Sequence, residues 1–63
     1  MKKFRVIYIV ESYTKDGCLV IRRFARNKKT AENIAKQCKQ STPYIRKTLK
    51  SEHQFIAVED VEG

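Results

Sequence analysis

Few residue types in this chain are able to carry out chemistry, and their spacing limits what they can do. His53 is the only histidine. A nucleophilic mechanism would pair it with Ser51, Cys18 or Cys38, and no motif brings these together. Small ribonucleases do operate with one histidine among basic residues, but His53 reads first as a solvated loop residue between elements. Cys18 and Cys38 have no second pair beside them, so they form neither a zinc pattern nor a disulfide framework. They read as two reduced, buried thiols, with a single Cys18–Cys38 bond left open. Glu59, Asp60 and Glu62 cluster near the end. Consecutive residues of a strand point to opposite faces, so Glu59 and Asp60 would not share a cation, and the cluster reads as a solvated end. Gly17 and Gly63 are the only glycines, and neither builds a phosphate-cradling loop. The sequence therefore predicts no catalytic residue, no metal ligand and no cofactor: a binding protein rather than an enzyme.

Positive charge is the stronger signal. Fourteen Lys and Arg stand against seven Asp and Glu, for a net charge of +7. The distribution is uneven: every base lies within the first fifty residues, while the remainder carries Glu52, Glu59, Asp60 and Glu62. A basic body implies an anionic partner, either nucleic acid or an acidic protein surface. Arg22, Arg23, Arg26, Lys28 and Lys29 fall within eight residues, at a predicted strand-to-helix junction where free backbone N–H groups also attract anions. Arg5 on the neighbouring strand extends this group, and Arg46 and Lys47, with Lys50, form another. Tyr13 and Tyr44 are candidates for stacking on bases. No zinc-finger, helix-turn-helix or RNA-recognition signature accompanies them.

The elements that position these residues follow from periodicity. Residues 4–13 alternate as a strand that is apolar on both faces in its middle, as a central strand would be. The exposed apolar face this implies raises a homodimer as one means of covering it. Thr14-Lys15-Asp16-Gly17 is a turn, and residues 18–25 form the second strand of a hairpin. Asn27 to Gln40 is the clearest helix, with Ala31, Ile34, Ala35 and Cys38 at i, i+3, i+4 and i+7 and Asn27 as N-cap. Ser41-Thr42-Pro43 would end it. Residues 43–52 fit either a helix or a strand. Helix is favoured because Ser51-Glu52-His53-Gln54 lacks the residues of a hairpin turn and because Lys, Arg and Leu favour helices. Residues 54–62 read as a buried strand running out to solvent. The expectation is one α+β domain over residues 1–63, a small, mainly antiparallel sheet with helix on one face, ordered ββααβ with ββαββ as the alternative.

Met1-Lys2-Lys3 could begin a signal peptide, but Arg5 and Glu11 interrupt the apolar run that follows. With no membrane span and no lipidation motif, a cytoplasmic protein is expected.

Phe4–Tyr8, Lys15-Asp16-Gly17, Arg23-Phe24 and Lys28-Lys29-Thr30-Ala31-Glu32 together resemble the arm-type DNA-binding domain of tyrosine integrases over roughly residues 4–37. That family places three strands ahead of its helix, where this chain has two. The resemblance implies a sheet entering the major groove, with contacts from Arg5, Lys15 and Arg22. In size, Lys-rich composition and element order, the chain is also similar to small accessory proteins of tailed bacteriophages, among them Dmd-type antitoxins. That likeness implies an inhibitor that blocks a nucleic-acid-handling host protein. Direct nucleic-acid binding leads, with the inhibitor as the alternative.

Overall fold

Asp16-Gly17 sets the first fold of the chain. Gly17 sits at φ +85°, a backbone conformation that costs glycine nothing, and its N–H donates to the Thr14 carbonyl at 3.0 Å. The turn joins β1 (Val6–Tyr13) to β2 (Leu19–Ala25) in an antiparallel hairpin. The computed structural model describes residues 5–39 and 41–63, so the expected strand residue Phe4 and helix residue Gln40 lie outside the described residues.

Asn27 caps the helix as its type predicts: its side-chain oxygen accepts from the Thr30 N–H at 2.8 Å. Helix α1 spans Lys28–Lys36, shorter than the expected 27–40. Gln37 and Cys38 close it with N–H bonds to Ile34 and Ala35 carbonyls, each at 3.1 Å, ahead of Pro43. Ala31 and Ile34 are fully covered, against Val10 and Ala25 of the sheet.

Residues 42–49 are a strand, β3 (Thr42–Leu49), which corrects the favoured helix at 43–52 and follows the strand alternative, order ββαββ. It pairs antiparallel with β1 along its whole length, from Val6 opposite Leu49 to Tyr13 opposite Thr42. The physical reason is the demand of β1, which is covered on both faces. Without a second neighbour, its outer N–H and C=O groups would go unpaired away from water, and that demand outweighs the helix propensity of Lys, Arg and Leu. Pro43 is tolerated because β3 lies at an edge of the sheet.

The missing hairpin turn is no argument against this strand, because the chain makes no hairpin there. After a 3₁₀ turn at Lys50–Glu52, it crosses the sheet and enters β4 (Val61–Glu62) parallel to β2. Parallel neighbours need such a crossover rather than a tight turn. The expected strand at 54–62 is thus corrected to a strap of turns ending in a two-residue strand. Its apolar run misleads because only Ile56 is buried; Phe55 and Val58 are 81% and 56% exposed.

The sheet has the order β3-β1-β2-β4, so the expected α+β class stands: β1 is antiparallel to both its neighbours, and the short β4 adds a parallel pairing to β2. The chain crosses it once on each face. Helix α1 links β2 to β3 over Val10 and Ala25; the strap links β3 to β4 over Ile7, Ile9 and Phe24. Ser12, a fully buried polar residue, is satisfied by a hydroxyl–hydroxyl bond to Ser41. Among the described residues, no helix is long and apolar enough to cross a membrane.

Candidate nucleic-acid interface

The strand registers decide which bases meet. Glu11 of β1 lies opposite Arg22 on one side and Tyr44 on the other, and Ile9 lies opposite Arg46. These odd-numbered positions of β1 share the face that the strap covers at Ile7 and Ile9, leaving the end near Glu11 and Tyr13 uncovered by that cluster. There, Arg22 Nε donates to Glu11 Oε2 at 2.9 Å. Arg46 Nη2 stands 3.6 Å from the other carboxylate oxygen. The carboxylate is largely covered, at 13% side-chain exposure, while Arg22 and Arg46 are 53% and 64% exposed. One largely covered acid thus orients Arg22 by a hydrogen bond, has Arg46 in looser ionic contact, and leaves the group net positive. Arg22 retains its terminal N–H groups for an outside acceptor.

Aromatic rings flank the pair. Tyr13 and Tyr44 meet edge to face, with centroids 5.9 Å apart, and Tyr44 is exposed. On the other side the strap contributes Phe55, whose ring meets His53 edge to face at 5.7 Å. His53 is half-buried rather than freely solvated, and its Nε2 lies 3.2 Å from the Thr48 hydroxyl of β3. A recess of about 240 Å³ opens between the strap and the arginines, with Ile9, Phe24 and Ile56 at its base.

The other sequence-predicted bases lie elsewhere. Arg23, next to Arg22, turns to the opposite face, as strand alternation requires. Its Nε donates to Glu62 at 2.6 Å and its Nη1 to Gln37 of α1 at 3.2 Å. This pairing holds the Glu62 carboxyl below its ordinary range and raises the Arg23 guanidinium, through the shared hydrogen bond first. Lys47 lies opposite Tyr8, on the same side as Arg23. Arg26, Lys28 and Lys29 are exposed at the helix start, where a Cβ at Gly63 would crowd Arg26 and Thr30 at 3.0 Å. Arg5 is exposed beyond the far end of β1, where its carbonyl accepts from the Lys50 N–H at 2.8 Å. At 3.3–3.4 Å per residue, it stands roughly 20 Å along the strand from Glu11.

The run of five bases in sequence is therefore divided between two faces and a helix end, whereas Arg22 and Arg46, from separate runs, come together. Sequence reasoning finds both arginines and both tyrosines but misses Glu11, His53 and Phe55 as their neighbours. No local signal marks that grouping, since it depends on the crossover of the strap. Cys18 is exposed and Cys38 half-covered, both as free thiols, which corrects the expectation that the two are buried. Among the described residues, no cluster of three or more His, Cys, Asp or Glu is arranged to hold a metal ion. No protein-family model matches this chain, and neither does any curated protein or solved structure.

Proposed function

We propose that this chain is a non-enzymatic protein that binds nucleic acid through the uncovered end of its strap-side sheet face. The observation that supports this reading is the convergence of Arg22 and Arg46 on Glu11, beside exposed Tyr44 and Phe55. Arg22, hydrogen-bonded to Glu11 through Nε, has less freedom to lose on meeting a phosphate, and Arg46 adds a second positive charge beside it; their remaining N–H groups match the phosphate oxygens. The net charge of +7 draws a polyanion toward the whole molecule. Arg5, Arg23, Arg26, Lys28, Lys29 and Lys47 contribute to that long-range field, with Arg23 already engaged by Glu62.

The test is a salt titration of binding to nucleic acid by the natural chain and by an Arg22→Gln/Arg46→Gln variant. Glutamine keeps a donor for Glu11 while removing the charge. The natural chain is expected to lose affinity steeply with salt. The variant should bind more weakly, with a log–log slope shallower by about 1 for each phosphate it no longer neutralises. Unchanged affinity in the folded variant would place the binding surface elsewhere.

A second reading has its own observation. Among the described residues, no strand pairs with the outer edge of β3, and Ile45 and Leu49 on that strand are 40% and 49% exposed. An open edge beside apolar side chains suits strand addition by a protein partner, as an inhibitor of a nucleic-acid-handling host protein would use. The salt titration separates the two, because an interface anchored by apolar contacts tolerates salt. The resemblance to phage accessory proteins assigns no residue to either role.

A further inference from the structure

The recess beside the arginine pair has a shape and a chemistry that specify more than attraction to phosphate. Its base is apolar, formed by Ile9, Phe24 and Ile56, and Arg22 and Arg46 stand at its rim. Phe55 also lines it, yet this ring is 81% exposed, an unusual position for a large apolar side chain. His53 meets the ring edge to face from one side only, and His53 is itself positioned beside the Thr48 hydroxyl. The result is a supported aromatic surface, largely bare, adjoining two cations. A nucleobase presents a flat π-face to such a ring and a phosphate to such cations. The recess, at about 240 Å³, has room for a single base.

Resting on the nucleic-acid reading above, we infer that the ligand is a single strand and that one of its bases seats in this recess against Phe55, with the flanking phosphates on Arg22 and Arg46. A base within a duplex is stacked on both sides and paired along its edge, so it cannot enter without being flipped out of the stack. Stacking is available to every base, so the recess selects for strandedness rather than sequence.

The chain contains no tryptophan, which provides a direct optical test. Phe55→Trp places a sole tryptophan emitter at the recess, and Phe55→Ala removes the ring. Fluorescently labelled oligodeoxyuridylate and oligouridylate of about eight nucleotides, within the usual site sizes, and a longer, stably paired blunt duplex serve as probes at low and moderate salt. The natural chain is expected to prefer the single strands. Phe55→Ala should weaken single-strand binding roughly tenfold while leaving duplex binding and the salt slope unchanged. Phe55→Trp should restore single-strand affinity and lose emission on adding unlabelled oligonucleotide. Because Phe55 is exposed, neither variant removes a core residue. Single-strand binding that is salt-sensitive yet indifferent to Phe55→Ala, with no quenching in Phe55→Trp, would overturn the base-seating inference and leave the phosphate reading intact. Absence of binding to any probe at low salt would overturn both. Comparison of the two oligonucleotides distinguishes deoxyribose from ribose ligands.

Discussion

At 13% side-chain exposure, Glu11 has given up most of its hydration, and two guanidiniums stand in place of the displaced water. Its partners lie in strands on either side of it, so nothing within a few residues of Glu11 announces its role. Gly17 is the opposite case. Asp16-Gly17 is legible from two adjacent letters, because the requirement it meets is local: a φ of +85°. A Cβ at Gly17 would meet nothing within 4 Å, so the cost of Gly17→Ala is purely that of the backbone conformation. The expected loss is about 1 kcal/mol, read from the urea midpoint with an unchanged slope. Asn27 is legible for the same reason, since a cap reaches only to its own first turn.

The two crossing elements cover the sheet by different means. Helix α1 brings a stripe of small and branched residues, with Ala31 and Ile34 fully covered; the strap brings one buried side chain, Ile56. The helix stripe is readable because its period repeats. The strap carries an apolar run, Phe55 to Val58, that resembles a strand, while only its second residue turns inward. Periodicity cannot reveal such an anchor, because irregular chain has no period to detect. Likewise β3 fits both periods on its own, and the unpaired edge of β1 decides between them. Ile34→Ala is expected to cost about 2–5 kcal/mol, because the rigid helix backbone cannot close over the cavity. Thermal unfolding followed by far-UV circular dichroism would measure it.

Across the whole molecule, Arg23 and Glu62 tie β2 to β4, and Gln37 brings α1 into the same network. Both charged side chains are 38% exposed, so solvent screening holds the contribution of the pair to about 1 kcal/mol or less. Its pH dependence has a definite sign. The folded-state carboxyl of Glu62 lies below its ordinary value, chiefly through the hydrogen bond from Arg23. Its stabilisation is therefore fully present above the unfolded glutamate pKa of about 4.3 and lost as pH falls through the lower folded value. Glu62→Gln should accordingly reduce stability at pH 7 and narrow toward the natural chain in acid. Denaturant midpoints at several pH values would show whether the curves converge. The α+β class is readable at this scale from the hairpin and the helix alone. The parallel partner of β2 is not, because it arrives from the end of the chain by way of the opposite face.

The position of β1, with neighbours on both edges and a crossing segment on each face, also orders the kinetics of assembly. Its hairpin with β2 closes a short loop, and such pairings form early at little entropic cost. Tyr13 meets Thr42, and Phe24 meets Val61, only after the intervening chain has been gathered in. A nucleus built on the hairpin is therefore the expected determinant of the folding rate. The strap, held by one buried side chain, is expected to dock late, in which case Ile56→Ala speeds unfolding more than it slows refolding in a stopped-flow chevron. On that order Ile56 sets the lifetime of the native state, and the recess it helps to line opens and closes with the strap.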